Sequence, residues 1–367
     1  MIKKSFIILF LLATNWALFG QNNDTWTSFF NDDETLIGYK DKNGAIKIKP
    51  KYSPHSWVNR FDNIIIAIEE INNKFENYYL TKSGKIVGRN SMYSFNNTPD
   101  CENEGFIRFR DRETDKTGMF DKNGNVAIPA EYSELSNVRN GMIMALKGAE
   151  KKYYVVEGEH YEWTGGQELL IDTSNNILIY DFPFNDNLNF FSIEKTKSPH
   201  SDATRKSFLA KDGSYYSFVD FEKEFKNWLL NDLLNDLTVD KLISASCDTI
   251  RWSPAEFRGW MKSNSREFVN DNFEVLKAGL LETLNPDRDW LVLRESLNSM
   301  LYSGEKFETY FYNCGRPKEW IYPVMNIIIK SAGSAGKLSV TQKAYDFLRT
   351  GNGYKLILVT IRDEEIK

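Results

Sequence analysis

The sequence is poor in the residues that build metal sites and nucleophilic centres, with three histidines and three cysteines among 367 residues. His55, His160 and His200 fall in separate segments with no carboxylate or cysteine at ligand spacing. A histidine-centred metal site or catalytic triad therefore has no signature, and turn or surface positions are expected for all three. No Gly-rich loop ends in Gly-Lys followed by Ser or Thr, which excludes the usual phosphate cradle. Gly333-Ser334-Ala335-Gly336 does not fit a nucleophile elbow and reads as a loop between strands. Basic excess is missing as well: the net charge is −5, and −7 without Lys3 and Lys4. That balance offers no footprint for nucleic acid or anionic lipid. Beyond residue 20 no apolar run reaches the roughly 20 residues of a spanning helix.

What is present suffices for packed cores, since 41% of residues are hydrophobic and 14% aromatic. Met1-Ile2-Lys3-Lys4, the apolar stretch Phe6 to Phe19 and then Gly20-Gln21 follow the order of a secretory signal. Cleavage before Gln21 is expected, with no membrane span after processing and an exported, periplasmic, outer-surface or secreted location. An exported chain can form disulfides. Cys247 and Cys314 are the expected pair because both fall in the C-terminal part, and Cys101 is expected to stay unpaired; buried free thiols are the competing expectation.

The informative pattern is a repeat. Asp41-Lys42-Asn43-Gly44 recurs as Asp121-Lys122-Asn123-Gly124, with Thr81-Lys82-Ser83-Gly84 midway, so Gly44, Gly84 and Gly124 lie 40 residues apart. Asn-Gly between apolar stretches signals a tight hairpin whose central residues both take positive φ. Ile46, Ile48, Pro50 and Tyr52 follow one turn; Val126, Ile128, Pro129 and Tyr132 follow another. This alternation predicts strands that end near a proline. Further strands are expected at Ile64 to Ile68 and Met142 to Leu146, and a drifted fourth echo at Tyr153 to Gly158. As a calcium loop, Asp41-Lys42-Asn43-Gly44 fails, because the twelfth position is Tyr52 rather than a bidentate Glu.

With Gly38-Tyr39-Lys40-Asp41 and Gly118-Met119-Phe120-Asp121 as openings, residues 30 to 182 resemble the WG-repeat family. Ile37 and Thr117 stand where the family has its tryptophan. The resemblance implies a β-rich repeat architecture found in many bacterial proteins, and it brings no catalytic residues.

After a polar, turn-rich stretch from Lys195 to Lys206, the pattern becomes helical. Phe221, Phe225, Trp228, Leu229 and Leu233 share one face. Ser253-Pro254-Ala255-Glu256 predicts a helix start, with Phe257, Trp260 and Met261 on the buried side. Phe273, Leu276, Leu280 and Leu284 predict a third helix, stopped by Asn285-Pro286. Alternation at Phe307, Thr309 and Phe311, then runs over 320–330, 338–348 and 354–362, predict strands, the last two joined at Gly351-Asn352-Gly353. The expected fold is multidomain: a signal segment (1–20), an all-β hairpin-repeat array (21–185), a linker or connecting hairpin (186–215), and an α+β domain of helices on an antiparallel sheet (216–367). In layout alone the last part resembles the NTF2-like superfamily, where a curved sheet encloses a pocket.

Candidate chemistry is sparse. Glu157, Glu159 and Glu162, near Tyr161 and Trp163, could supply the paired carboxylates of a polysaccharide hydrolase, although exposed glutamate on a hairpin accounts for them as well. Trp57, Tyr132, Tyr161 and Trp163 lie near repeat turns, where arrays present binding surfaces, and filling gaps between hairpins is the competing role. The expected function is a non-enzymatic exported protein, without cofactor, that offers a surface to a protein or glycan partner. An envelope polysaccharide hydrolase and a small-ligand-binding C-terminal domain are the alternatives.

Overall fold

The computed structural model describes residues 25–56, 58–95, 98–153, 161–253, 259–330, 342–361 and 366. The expected export segment, Trp57, Glu157, Glu159, His160 and the loop at Gly333–Gly336 lie outside them.

Five antiparallel units succeed one another. The first is β1 (Trp26–Phe30), β2 (Ile37–Lys40) and β3 (Ile46–Tyr52), edged by β4 (Arg60–Phe61). The second, β5 (Ile64–Ile71), β6 (Lys74–Thr81) and β7 (Ile86–Val87), continues the same sheet in the order β4-β1-β2-β3-β5-β6-β7. A ribbon of β8 (Ser94–Phe95) and β9 (Thr98–Pro99) leads to the third unit, β10 (Phe106–Asp111), β11 (Lys116–Asp121) and β12 (Val126–Tyr132). The fourth opens with β13 (Glu134–Leu135) and β14 (Met142–Lys147). It is interrupted by the hairpin β15 (Glu150–Tyr153) and β16 (Tyr161–Thr164), then closes with β17 (Gln167–Asp172) and β18 (Ile177–Tyr180). The fifth is β19 (Leu188–Thr196), β20 (Arg205–Leu209) and β21 (Tyr215–Asp220).

Every unit carries the same turn. The amides of Gly44, Gly84, Gly124, Asn175 and Gly213 donate to the carbonyls of Asp41, Thr81, Asp121, Asp172 and Ala210, at 2.9 to 3.1 Å. Asp41 Oδ1 also accepts from the amides of Asn43 and Ala45, Asp121 Oδ1 from Asn123 and Asn125, and Asp172 Oδ1 from Ser174 and Asn176. Only the fourth residue of each turn has positive φ, between 66° and 86°; Asn43 and Asn123 do not. The turn is thus a right-handed turn ended by one left-handed residue, not the two-residue form expected from Asn-Gly. Of the drifted echo expected at Tyr153 to Gly158, all but Tyr153 lies outside the described residues; among the described residues the fourth turn of this kind is at Asp172, beyond the inserted hairpin.

A second shared device sits opposite Gly38 and Gly118. Ile37 pairs with Tyr52 but Tyr39 with Ile48, and Thr117 with Tyr132 but Met119 with Ile128. The second strand therefore bulges by two residues, around Pro50 and Pro129, where a proline removes no needed ladder bond. A side chain at Gly118 would meet the Ile128 carbonyl oxygen at 2.7 Å, and one at Gly38 would collide with that of Ile48. Both glycines are required by close backbone approach rather than by φ.

The units stack through their faces. Ile65 and Ala67 pack into the core shared with the first unit, while Ile64 and Ile66 pack with Ile107 and Phe120 of the third. Ile143 and Ala145 face Met119 and Ile128, whereas Met142 and Met144 face Phe190 and Phe218 of the fifth unit. Burial on both faces explains why these strands read as unbroken apolar runs rather than as alternation.

β21 runs directly into α1 (Phe221–Asn227), with Asp220 capping the amides of Glu222 and Lys223. Residues 186–215 thus carry β19 and β20 of the fifth unit. A wider helical turn over Trp228–Leu233 continues α1, and Phe221, Phe225, Leu229 and Leu233 are buried as predicted. Next come α2 (Val239–Ser244), β22 (Ser246–Ser253), β23 (Met261–Asn264), α3 (Ser265–Leu281), β24 (Trp290–Glu295), β25 (Val324–Lys330), β26 (Gln342–Thr350) and β27 (Gly353–Thr360). Their sheet runs β23-β22-β27-β26-β25-β24. It is mixed rather than antiparallel, because β22 and β27 pair in parallel. The helices cover one face, and Phe225, Leu276, Leu280, Phe347 and Leu356 share the core between them. Among the described residues the helices and this sheet face share one cluster of buried side chains, where the cone-like layout would place a pocket. None of these helices is long and apolar enough to cross a membrane.

Two local expectations are corrected. Ser253 is the last residue of β22, and pairing of Trp252 with Met261 draws the chain into β23, leaving Trp260 and Met261 exposed rather than buried. Residues 254–258 lie outside the described residues. Asn264 caps the next helix, accepting from the amides of Arg266 and Glu267. The strand expected over Phe307 to Phe311 is a tight 3-10 helix, Glu305–Tyr310.

Candidate functional site

Two places gather chemistry outside the cores. The first is the inserted β15–β16 hairpin. Lys151 stands opposite Trp163 and Tyr153 opposite Tyr161, so these four share one face. Ring centroids are 5.6 Å apart for Tyr153 and Tyr161 and 5.4 Å for Tyr161 and Trp163. Lys151 Nζ lies 4.5 Å and 5.5 Å from the Tyr161 and Trp163 centroids, within cation–π range. It also pairs with Asp115 at 2.6 Å, and Asp115 meets Arg110 at 2.8 Å. Partial burial opposes ionisation of Asp115, but hydrogen bonds from Lys151 and Arg110 outweigh it and hold the carboxyl below its ordinary range. This network ties the hairpin to the third unit while Tyr153 and Tyr161 remain 52% and 36% exposed.

Of the other sequence candidates, Tyr132 is buried and donates to Asn175 Oδ1 at 2.7 Å, so it packs between units and offers no surface. Glu162 is half-buried, pairs with Lys152 and lies on the hairpin face opposite Tyr161 and Trp163. His200 Nε2 lies 3.2 Å from Glu194 and its Nδ1 accepts from the Asp202 amide, while His55 is exposed in a short 3-10 turn.

The second place is a junction that sequence reasoning missed. Residues 310–318 fold back on themselves: Lys318 N donates to the Tyr310 carbonyl, Tyr312 N to that of Arg316, and Gly315, at φ 78°, turns the tip. This finger reaches the repeat array. Arg60 N donates to the Asn313 carbonyl, Arg316 donates to the carbonyls of Thr98 and Pro99, and Cys314 is disulfide-bonded to Cys101 with Cα atoms 6.1 Å apart. The expected Cys247–Cys314 pair is thereby corrected, as is the unpaired Cys101. Cys247 lies in β22, half-buried against the core around Tyr302 and Leu358, where burial pushes its thiol up to about 11. Beyond the finger, Trp320 packs on the core joining the fourth and fifth units. Its ring centroid lies 2.8 Å from the guanidinium carbon of buried Arg139 and 4.5 Å from that of Arg294.

Cavities flank the finger, one of about 380 Å³ and one of about 230 Å³, and Tyr312 lines both. Buried polar groups support the smaller one. Arg108 grips Asp100 through Nε and Nη2 at 3.0 and 2.6 Å, and Asp100 in turn accepts from Asn137. The pair fixes the segment just after β9 that carries Cys101. In sequence, only Asn313-Cys314-Gly315 hinted at a turn, and nothing there announced its distant partner.

Residues 118–153 match the family described as WG containing repeat. The match spans β11 to β15 and includes both the bulge at Gly118 and the turn at Gly124, so the chain carries a WG-type repeat. No curated protein and no solved structure matches the chain.

Proposed function

We propose that this WG-repeat chain is an exported, non-enzymatic binding module whose β15–β16 hairpin docks on an extended glycan of the cell envelope. The observation that carries the proposal is the aromatic face of Tyr153, Tyr161 and Trp163, held out from the array by a Lys151–Asp115–Arg110 network. Tyr39, Tyr79 and Phe190 of the array are buried, while Phe30, Phe75 and Phe95 are exposed outside the hairpin. Tyr153, Tyr161 and Trp163 keep ring surface available for the C–H faces of sugars, with charged groups alongside for hydroxyls. Export is supported by the disulfide, since such bridges persist in oxidising compartments.

The test is retention on insoluble envelope polysaccharide, comparing the native chain with Tyr161→Ala and Trp163→Ala. Each replacement should weaken retention about tenfold, or ~1.4 kcal/mol, without lowering the unfolding temperature. Unchanged retention in the double variant, or a native protein confined to the cytoplasm, would overturn the proposal.

A further inference from the structure

We infer that the aromatic face of the β15–β16 hairpin takes an uncharged glycan, a chain of neutral pyranose rings with free hydroxyls, and discriminates against anionic polysaccharides and cationic ligands. The inference rests on the reading of this hairpin as a glycan-binding surface and fixes the ligand class that the surface accepts.

The place a cation would take is already filled. A ligand ammonium group is drawn to the ring faces of tyrosine and tryptophan. Here Lys151 Nζ stands 4.5 Å from the Tyr161 centroid and 5.5 Å from that of Trp163, and Asp115 Oδ2 holds it there at 2.6 Å. A trimethylammonium or lysine-like ligand would have to expel this internal cation and break its ion pair.

An anion meets the wrong charge first. Arg110 divides its donors between Asp115 Oδ1 at 2.8 Å and Glu134 Oε2 at 3.2 Å, so Lys151 and Arg110 are matched by Asp115 and Glu134. Exposure within this network is unequal: the side chains of Lys151 and Arg110 are 17% and 19% exposed, that of Asp115 52%. The charged atoms that meet solvent beside the rings are therefore mainly carboxylate oxygens. Partial burial opposes ionisation of Asp115, but hydrogen bonds from Lys151 and Arg110 prevail and keep it ionised. A uronate, sulfate or phosphate group would approach a full negative charge, with both cations set behind it. The sequence between the two strands adds Glu157 and Glu159 and no lysine or arginine.

A neutral sugar fits what remains. A carboxylate oxygen can accept two hydrogen bonds, and among the described residues each oxygen of Asp115 accepts one. The second position on each is open to a hydroxyl, which brings the proton that an anionic group lacks. Ring C–H faces lie against the exposed rings of Tyr153 and Tyr161. Because two cations orient Asp115 before any ligand arrives, its acceptors are ordered in advance, which favours affinity.

The experiment is calorimetric titration of the oxidised full chain with cellohexaose, xylohexaose, laminarihexaose and chitohexaose as uncharged probes and hexagalacturonate as the anionic one. Each is run at about 10 mM and about 1 M salt, between which the screening length falls from about 30 Å to about 3 Å. At least one uncharged hexasaccharide should bind saturably, with an affinity that changes less than about twofold between the two salts, and hexagalacturonate should bind at least about tenfold more weakly. Asp115→Asn leaves Lys151 and Arg110 in excess, so it should weaken the uncharged ligand about fivefold and strengthen hexagalacturonate at low salt. Glu162→Gln makes the same change in net charge on the opposite face of the hairpin and should leave both affinities unchanged. If Asp115→Asn does not fold, the salt comparison on the native chain decides alone. Preference for hexagalacturonate, uncharged-ligand binding that is lost with salt, or equal weakening of both ligands by Asp115→Asn would overturn the inference. In those cases, binding that still falls in Tyr161→Ala with Trp163→Ala would leave the hairpin a glycan surface of another class. No binding of any hexasaccharide at millimolar concentration, or binding indifferent to that double variant, would overturn the hairpin reading itself and the inference with it.

Discussion

Asp346 gives a direct test of the packing on the open face of the C-terminal sheet. It sits in β26, directly across from Asn326 in β25 and Leu358 in β27. Among the described residues the Oδ1 atoms of Asp346 and Asn326 are both enclosed without a partner, so two acceptors on paired positions have no proton between them. Burial, and secondarily the charge of Glu295, pushes the Asp346 carboxyl from 3.8 up to about 7. Tyr302 also faces this carboxylate, and the same charge adds to the burial that raises its phenol. In the unfolded chain Asp346 loses its proton near pH ~4, whereas in the folded chain it keeps the proton until about pH 7. Across that window the folded state binds more protons, so stability is highest below the unfolded value and falls as pH rises through the folded one. A shift of ~3 units corresponds to ~4 kcal/mol at most. Because Asp346 is half-buried and keeps some contact with water, ~2 kcal/mol is the better expectation. Asp346→Asn removes the ionisation and supplies an N–H for Asn326. Urea unfolding at pH 4 and pH 8 should therefore show the variant about equal to the native chain at the lower pH and ~2 kcal/mol more stable at the higher. A stability difference that is the same at both pH values would refute the reasoning.

The disulfide closes a loop between residues 213 apart, for which chain entropy allows up to ~5 kcal/mol, so Cys314→Ser should lower unfolding stability by ~3–5 kcal/mol in denaturant titration. Alkylating the unreduced, denatured chain should label one thiol, Cys247, with the site read by peptide mass. Gly118→Ala should cost ~2–3 kcal/mol because the Ile128 carbonyl cannot move away from the new methyl. Gly44→Ala meets open space and should cost only the ~1 kcal/mol of a left-handed residue, so equal losses would remove the bulge argument. Arg139→Leu should raise stability by ~1–2 kcal/mol in thermal unfolding, since Nε and Nη1 of Arg139 are buried without acceptors among the described residues and burial drives its pKa well below the ordinary value. A marked loss instead would mean that stacking on Trp320 outweighs the uncompensated charge.

The repeat was legible where turn chemistry survived in the letters. Gly44, Gly84 and Gly124 announced three units because the left-handed position was still glycine. The fourth uses Asn175, which tolerates the same φ, and the fifth keeps Gly213 but has Ala210 in place of the capping Asp. There Asp212 accepts from the Ser214 amide instead, so the turn persists without its motif. Spacing hid the fourth as well, since β15–β16 was inserted between its strands. Helical periodicity identified α1 and α3 because amphipathic faces are local. It misplaced Trp260 and Met261, which were expected on a buried helical face, because pairing of Met261 with Trp252, a longer-range interaction, prevailed there.

The candidate sites divide along the same line. Tyr161 and Trp163 could be named from sequence because they are two residues apart on one strand, and alternation alone puts them on one face. The junction could not, because its parts come from Arg60, Asn103 and Asn313 and are joined only once the array is stacked and the finger laid across it. Cysteine placement misled for the same reason. Membership of one sequence half made Cys247 and Cys314 look paired, but β22 holds Cys247 against the core while Cys314 occupies the tip of a finger that leaves its own half. The bridge therefore follows from how the two parts pack together. Any change that loosens the finger should be felt at Arg60, whose amide bonds to Asn313, and at Thr98 and Pro99, whose carbonyls hold Arg316. Hydrogen exchange at the Arg60 amide should accelerate in Cys101→Ser while amides in β26 and β27 keep their protection, and uniform acceleration would mean that the bridge supports the whole fold rather than the junction.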